Sequence, residues 1–457
     1  TYSGYPPESK GLMFPISETE SGFIWSRAVS GQPWVGLMPS FPRIGGEKAI
    51  WLPENPSHNM DKLDDGAYLN FTVEEALEVI SNGRFEGRSQ HSDGTAAHHW
   101  SVSTSIDPRF ITFNAGPYQK IEKNYQSISG KILPITYWVL PEQYKEINQI
   151  FPQTIENVNF LENYLGPFPY QTEKIAFVSS PTWGMGNHSA TQFNPGKEQK
   201  LFGGKSPAVN GYQPTLFHEF AHSWWANLVT AKTPKDVWMH EALAVYMEAL
   251  YFEYRYGKLA YHEGIHRRHR QMLVGKSEGK WLLETDFNVT KAVMMLHSLR
   301  YLIGDKKFQG FLQHLCYPVV STEDDSSIGH GRIISSKEFE ALVSEYVEED
   351  LGWFFDLYRR HKELPKLIVK NKGEKIFVEW SVPDGVHFPM PIEIEYNGKR
   401  SRFSMPSGGL EINRKVGGTV VVDPDFLVLR QSIPNADHFG TLLNEITEFM
   451  SPFKGQK

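Results

Sequence analysis

The chain has 457 residues and a mass of 52.3 kDa, which at about 150 residues per domain predicts roughly three domains. Hydrophobic residues make up 40% and charged residues 22%, proportions that exclude an intrinsically disordered chain. The 46 basic and 53 acidic residues give a net charge of −7, which argues against nucleic acid as a partner. The single cysteine, Cys316, excludes an intramolecular disulfide and a cysteine-rich metal site.

The sequence shows no recognisable membrane-spanning or targeting segment. No apolar run approaches the ~18 residues that a membrane helix requires. The first residues lack the basic and apolar stretches of a signal peptide, and the chain begins with Thr1 instead of methionine. We therefore expect a soluble, processed or trimmed chain or a fragment, with no membrane and no nucleic acid among its partners. Its cellular location and its oligomeric state are unknown at this point.

The spacing of apolar residues divides the chain into four parts. Short alternating runs in residues 1–138 predict an N-terminal β-rich domain, and residues 139–364 predict a mostly helical domain with a β stretch at about 173–193. Residues 365–434 predict a small β-sandwich, and residues 435–457 a C-terminal tail or helix. The segments at helical spacing are 142–165, 214–229, 241–256, 289–303, 306–316, 336–348 and 350–361. The expected fold class is multidomain α+β.

An HExxH motif lies in the second of these predicted helices. His218 and His222 are four residues apart, so both imidazoles lie on one helix face and can reach a single metal ion. Glu219 follows the first histidine and can polarise a water molecule at that metal. Glu241 begins the next predicted helix, with 18 residues between it and His222, and can supply the third ligand that zinc normally requires. Glu248, two turns further along, is a candidate hydrogen-bond partner for a ligand histidine.

The surroundings of the motif favour a metal site over a chance occurrence. The flanking residues are apolar, which predicts that the helix is buried beneath the site; they are Leu216, Phe217, Trp224 and Trp225. Together with the correctly spaced glutamate, this setting predicts one Zn²⁺ per chain.

A second HExxH sequence runs from His262 to His266, with 17 residues between it and Glu284. Gly264 within it costs a helix about 1 kcal/mol relative to alanine. Three arginines in the next turn would oppose a divalent cation: Arg267, Arg268 and Arg270. We predict a solvated helix face here and not a metal site.

The residues around the first motif, at 215–230 and 238–248, resemble the zinc core of the aminopeptidase N family, a branch of the gluzincin metallopeptidases. Similarity extends to residues 81–100, 291–308 and 389–425 and so reaches nearly the whole chain. The resemblance implies a thermolysin-like catalytic domain within residues 139–364. It also implies a bound zinc ion and hydrolysis of peptides from the amino end.

One departure from the family falls in its substrate strand, which reads GxMEN and uses the glutamate to hold the substrate α-amine. The matching residues, which we predict to bind substrate, are Gly184, Met185, Gly186 and Asn187. Glycine thus replaces the carboxylate, and a buried ammonium without a counter-charge is costly. We expect substrates that need not carry a free α-amine, with room at Gly186 for an acyl group. A shifted alignment, or a carboxylate from elsewhere in the fold, is the alternative.

A second departure lies before Lys291, where the family has a tyrosine that donates to the oxyanion and this chain has Val289. Loss of one such donor typically costs ~10²–10³ in rate. Tyr301 cannot easily replace it, since twelve residues along a helix span about 18 Å. Thr290 or a loop residue is the alternative. His188, next to the substrate strand, is more typical of an ordinary polar residue than of a substrate contact.

Two functional hypotheses follow from these residues. The first is a zinc-dependent metallopeptidase that hydrolyses peptide or related amide bonds, with Glu219 as general base. The second is a catalytically weak or inactive aminopeptidase-like protein that binds peptides or uses zinc structurally. The missing glutamate and tyrosine favour the second, whereas the intact Glu219 favours the first, because a pure binder needs no base. The sequence favours the enzyme and leaves open its side-chain preference and exo- or endo-cleavage.

Overall fold

The computed structural model describes residues 22–27, 33–38, 62–181, 186, 188–194, 214–273, 289–318, 331–383, 385–413 and 418–431. The chain forms two compact units, each made of two segments. The first unit comprises residues 1–240 and 313–334, and the second comprises residues 241–312 and 335–457. The division falls within the first turn of one continuous helix, Trp238–Tyr256.

The strands of the first unit, in chain order, are β1 (Gly22–Arg27), β2 (Pro33–Met38), β3 (Ala67–Glu74), β4 (Glu78–Ser81), β5 (Arg84–Gln90), β6 (Thr95–Val102), β7 (Phe113–Gly116), β8 (Gln119–Gln126), β9 (Ile132–Val139), β10 (Ile175–Ser179), β11 (Ala190–Phe193), β12 (Val229–Ala231) and β13 (Arg332–Ile334). They form sheets in the orders β1-β2-β7-β4, β3-β6-β5 and β11-β10-β9-β8, with β12 paired to β13. Strand β10 runs parallel to both β9 and β11, so the third sheet is mixed. One buried cluster of this unit consists of Ile80, Trp100, Tyr118, Leu140 and Val178.

The α-helices among the described residues are α1 (Tyr144–Leu165), α2 (Pro214–Ala221), α3 (Trp238–Tyr256), α4 (Lys258–Leu273), α5 (Val289–Ile303), α6 (Asp305–Cys316), α7 (Ser336–Val347) and α8 (Gly352–Phe355). A π-helical turn, Asp356–Arg360, continues α8. The apolar residues at helical spacing in α1 are buried, including Ile147, Val158, Leu161 and Leu165. Burial of this stripe accounts for the helix, since isolated helices are marginal without packing.

The second unit ends in two three-stranded antiparallel sheets. Their strands are β14 (Lys366–Lys372), β15 (Lys375–Ser381), β16 (Ile392–Tyr396), β17 (Lys399–Phe403), β18 (Gly409–Asn413) and β19 (Val420–Val422). The sheet orders are β14-β15-β18 and β17-β16-β19. In β15 the alternate residues Ile376, Val378 and Trp380 are buried, which is the period-two pattern of a half-buried strand.

The structure confirms the α+β class and most of the predicted helices, with two exceptions. The helix predicted over 214–229 is too long, because α2 ends at Ala221 and the chain turns back into β12. The helix α4 was not among the predicted segments. The predicted domain boundaries at 138, 364 and 434 stay predictions, and residues 435–457 lie outside the described part of the chain. Within the described residues, no helix combines the length and apolar character needed to cross a membrane.

Candidate metal centre

Helix α2 is held against the mixed sheet by apolar side chains. The helix begins at Pro214, where the missing N–H costs nothing because the first helical N–H groups have no partner in the helix. The Phe220 ring packs on Phe177 of β10, with centroids 5.2 Å apart, and on Phe168 at 5.8 Å. The predicted apolar flanks are all buried: Leu216, Phe217, Trp224 and Trp225. One face of α2 is thus fixed in the core and the other carries the polar motif.

The two histidines of the motif present their ε-nitrogens to one point. The backbone N–H of His222 donates to the carbonyl oxygen of His218 at 3.3 Å, so helical spacing continues one residue beyond α2. The Nε2 atoms of the two rings are 3.1 Å apart, and the ring planes are 88° apart. Two nitrogens bound about 2.0 Å from one tetrahedral zinc ion would be about 3.3 Å apart. The spacing of the imidazoles therefore fits a shared zinc ion.

A backbone contact sets the tautomer of His222. Its Nδ1–H donates to the carbonyl oxygen of Trp225 at 2.7 Å, in the turn that follows the helix. A neutral imidazole that donates from Nδ1 has a free lone pair at Nε2, which is the form that binds a metal. The buried side chain of His222 is thus oriented before any metal arrives.

A short turn before α3 delivers the third candidate ligand. Thr233 and Asp236 form a capping box around the single 3₁₀ turn Pro234–Asp236. The backbone N–H of Ala231, at the end of β12, donates to Nε2 of His240 at 2.6 Å. These contacts fix the start of α3, whose first turn carries Glu241.

His218, His222 and Glu241 are brought together as the sequence predicted. Each offers one ligand atom, and these atoms all lie within 4.8 Å of one another. No other group of three such residues among those described comes as close. Two imidazole nitrogens and a carboxylate oxygen are a donor set that zinc binds in hydrolytic sites. Glu219, half-buried on α2, follows the first ligand directly.

Glu248 has a partner that the sequence did not predict. Its Oε2 atom accepts from the guanidinium Nη2 of Arg268 in α4 at 3.2 Å. The suggested hydrogen bond from Glu248 to a ligand histidine stays a prediction.

The second HExxH sequence serves packing within the second unit. Nε2 of His266 donates to the carbonyl oxygen of Asp425 at 2.8 Å, and Nε2 of His269 to that of Arg430 at 2.9 Å. Neither His262 nor His266 belongs to a group of three possible metal ligands among the described residues. Glu284 lies outside those residues, so the absence of a metal site here stays a prediction. His266 and His269 are buried, so the side of α4 that carries them is not solvated, while the exposure of the arginine face stays a prediction. The arginines and Gly264 favoured an exposed helix. The N–H groups of His266 and His269 donate to backbone carbonyl oxygens, which lowers the cost of burying these side chains.

The structure describes one of the four predicted substrate-binding residues. Gly186 is buried, and its carbonyl oxygen accepts from Nδ2 of Asn227 at 3.0 Å. A Cβ atom added at Gly186 would lie 2.3 Å from the carbonyl oxygen of Glu219 and 2.5 Å from Cβ of His222. The space for an acyl group that we expected at Gly186 is therefore absent in the direction in which a Cβ atom would point. Gly184, Met185 and Asn187 lie outside the described residues.

Val289, which the resemblance placed at the position of an oxyanion tyrosine, is a buried apolar residue. Val289 is the first residue of α5 and is buried, as is Thr290. The Lys291 ammonium donates to the carbonyl oxygen of His361 at 2.8 Å. Tyr301 lies near the other end of α5, with its ring 4.6 Å from the guanidinium of Arg402. Burial raises the pKa of Tyr301 above its ordinary value, so its hydroxyl stays protonated.

Sequence reasoning missed a buried acid–histidine pair next to this centre. Nδ1 of His188 lies 3.3 Å from Oε2 of Glu173, and neither side chain is more than 1% exposed. Burial alone would raise the pKa of Glu173, but the charge and hydrogen bond of His188, with a further bond from Ser189, lower it to about 2. His188 is thus enclosed by protein groups, in agreement with its assignment as a residue that does not contact substrate. The fourteen residues between the two partners form no motif, so no sequence signal pointed to the pair.

Comparison with known proteins supports a peptidase. Residues 150–319 match the model of the peptidase family M1 domain. The leucyl aminopeptidase of Saccharolobus solfataricus is 26% identical over 187 residues, which are 39% of this chain and 22% of that protein. Endoplasmic reticulum aminopeptidase 1 of Homo sapiens is 22% identical over 166 residues, 34% of this chain and 17% of that protein. Aminopeptidase N of Streptomyces lividans is 28% identical over 218 residues, 42% of this chain and 25% of that protein.

These alignments span a quarter or less of each relative's length. A crystal structure of Legionella pneumophila aminopeptidase A, in complex with aspartic acid, has a TM-score of 0.66 to this chain at 14% identity. The match covers 96% of this chain and 53% of that one, and at this identity it shows a shared fold. The candidate ligands His218, His222 and Glu241 all lie within residues 150–319. The chain therefore contains a region similar to the peptidase family M1 domain.

Proposed function

We propose that this chain is a zinc-dependent metallopeptidase that hydrolyses peptide or related amide bonds. The observation that carries the proposal is the cluster of His218, His222 and Glu241, with ligand atoms within 4.8 Å of one another. The cluster lies in the part of the chain that matches the M1 peptidase domain. The hydrogen bond from Nδ1 of His222 to Trp225 supports it further, because a neutral imidazole that donates from Nδ1 carries its metal-binding lone pair on Nε2.

The residues of the site divide the chemistry between them. Nε2 of His218, Nε2 of His222 and a carboxylate oxygen of Glu241 hold the ion. A bound zinc ion supplies a Lewis acid that lowers the pKa of water towards about 7 and polarises the scissile carbonyl. The Glu219 carboxylate accepts the proton of the attacking water and passes it to the leaving amine.

Replacing Glu219 with glutamine tests this assignment. The amide has nearly the shape of the carboxylate but cannot accept the proton, so we expect one zinc ion per chain and a kcat lower by about 10²–10⁴. Turnover of a peptide panel and metal analysis of both chains measure the two quantities. Near-native turnover by Glu219→Gln would remove Glu219 from the mechanism.

We further propose that the substrate need not carry a free α-amine. Gly186 has no side chain to offer a counter-charge, and its Cβ direction is filled by α2, so no carboxylate fits at this position. A peptide library containing each sequence in free and N-acetylated form, digested and read by mass spectrometry, gives cleavage position and amine dependence together. Cleavage of the free-amine members alone would contradict the proposal. Gly186→Glu is not a useful variant, because its Cβ would overlap the carbonyl of Glu219.

A second candidate function is a peptide-binding or structural zinc protein with little or no turnover. The observation that favours it is Val289, which is buried and offers no side-chain donor where the family has tyrosine. The same peptide panel separates the two candidates. Equal background rates for the native chain and Glu219→Gln, together with peptide binding by both, would favour the binding protein.

A further inference from the structure

The turn that carries His188 is held by a closed set of buried hydrogen bonds. Oε1 of Glu173 accepts from the Thr104 hydroxyl at 2.9 Å, and its Oε2 accepts from the Ser189 hydroxyl at 2.7 Å. Nε2 of His188 lies 3.0 Å from the Thr104 hydroxyl. That hydroxyl has one proton, which it gives to Glu173, so it accepts from Nε2–H. Nδ1 of the same ring lies 3.3 Å from Oε2 of Glu173, so both ring nitrogens of His188 contact buried polar groups.

This pair holds His188 in an uncommon backbone conformation. Its φ is +46°, in the left-handed region that residues other than glycine seldom adopt. The imidazole stacks on the Tyr170 ring, with centroids 3.4 Å apart, and the pairing with Glu173 holds the other edge. Strained backbone of this kind persists only where the surroundings fix it.

The backbone of His188 in turn orients Asn227. The N–H of His188 donates to Oδ1 of Asn227 at 3.0 Å, which leaves the amide hydrogens on Nδ2 to point the other way. They donate to the carbonyl oxygens of Gly186, at 3.0 Å, and of His222, at 2.8 Å. The buried side-chain amide of Asn227 thus links Gly186 to the backbone of His222, a candidate metal ligand.

We infer that Glu173 and His188 are positioning residues of this centre: through Asn227 they hold Gly186 against the helix that carries the metal-binding histidines. The inference rests on the proposed function, in which Gly186 lies along the bound substrate. Neither residue is exposed to substrate, so their effect passes through the backbone. Loss of the pair should leave the candidate ligand histidines in place but free Gly186, which in the proposed function lies along the substrate.

The chain provides a matched control in Glu162. This second fully buried carboxylate accepts from Tyr125, Ser127, Ile128 and Phe168 and contacts neither Asn227 nor Gly186 among its described partners. Glu162→Gln therefore loses a buried, fully hydrogen-bonded carboxylate without touching the positioning contacts.

The first test compares Glu173→Gln with Glu162→Gln in zinc content, kcat and KM. We expect one zinc ion per chain in both, and a fall in kcat/KM of about tenfold or more for Glu173→Gln alone, mainly through a higher KM. A fall of less than threefold in Glu173→Gln, or an equal fall in Glu162→Gln, would overturn the inference. If Glu173→Gln does not fold, His188→Phe takes its place, because it keeps the ring on Tyr170 and removes both nitrogens.

The second test needs no turnover. Hydrogen exchange of the backbone amides at 186–190 should be at least tenfold faster in Glu173→Gln and His188→Phe and unchanged in Glu162→Gln. Unchanged exchange in the first two variants would overturn the inference. A native chain that hydrolyses no peptide, yet shows the faster exchange in these variants alone, would contradict the proposed function and leave the positioning intact.

Discussion

No side chain fits between Gly186 and the carbonyl oxygen of Glu219, because a Cβ at Gly186 would lie 2.3 Å from that oxygen. Gly186 therefore packs directly on the backbone of helix α2. A glycine at this point has a packing reason of its own, separate from the proposed absence of a charge that would hold a substrate amine.

Gly186→Ala should disrupt this contact. The methyl group must displace either the Gly186 segment or α2, so we expect the free energy of unfolding to fall by about 2 kcal/mol or more, with a large loss of activity. Urea unfolding and peptide turnover measure the two effects. Gly264→Ala is the control: this glycine is in helix α4 with no other atom near its Cβ position, and alanine there should stabilise by about 1 kcal/mol. Native-like stability in Gly186→Ala would mean that the contact is looser than described.

The two HExxH sequences should respond differently to alanine. His218→Ala or His222→Ala removes one of three ligands, so we expect loss of stoichiometric zinc, measured after dialysis by elemental analysis. His262→Ala and His266→Ala should keep one zinc ion per chain, while His266→Ala loses the bond to the Asp425 carbonyl and some stability. Zinc retained by the first pair, or lost by the second, would place the metal elsewhere.

Ala226→Gly should stabilise the chain. Ala226 has a φ of +127°, a region that favours glycine, in the turn between α2 and β12. Relief of about 1–3 kcal/mol of backbone strain exceeds the loss of one buried methyl, about 0.8 kcal/mol. We expect the free energy of unfolding to rise by about 1 kcal/mol in urea titrations. Ala244→Gly, buried within helix α3, should instead lower it, and a loss at both positions would show that Ala226 is unstrained.

Glu173 should contribute to acid unfolding. Burial would raise the pKa of Glu173, but His188 and Ser189 together lower it to about 2, below the ordinary 4.5. The folded chain therefore holds this proton less tightly than the unfolded chain. The resulting stability, at most about 3 kcal/mol, is present above pH 4.5 and is lost as the pH falls towards 2.

Glu173→Gln should consequently flatten the decline of the unfolding free energy between about pH 5 and pH 3. The native chain and Glu173→Gln are measured under identical conditions, so any other group that titrates in this pH range contributes equally to both unfolding curves. Parallel declines in urea unfolding would show that the carboxylate titrates equally in the folded and unfolded chains.

The grouping of His218, His222 and Glu241 could be predicted because its signal is local. His222 follows His218 by four residues at helical spacing, and the following helix begins at the right distance to bring in Glu241. The end of α2 could not be predicted in the same way. The run from Trp224 to Leu228 is apolar enough for a helix, but the chain reverses there and β12 pairs with β13. Long-range pairing of this kind overrides local propensity.

The Glu173–His188 pair shows the same limit in a polar setting. A carboxylate and an imidazole fifteen residues apart carry no periodicity, and the strands β10 and β11 bring them together only after the sheet has formed. The buried histidines of α4 are a further example, since their acceptors are carbonyl oxygens near residue 425 that no side-chain pattern reveals.

The pairing of β12 with β13 also has a consequence for synthesis. Val229 lies beside Arg332 in a parallel register, so the two strands leave the ribosome about 100 residues apart. At 5–20 residues per second, β12 waits roughly 5 to 20 seconds for its partner. During that interval most of the helices of the second unit are made. The segment that joins α2 to α3 is therefore completed only after β13 has emerged, well after the candidate ligands His218, His222 and Glu241 have all been made.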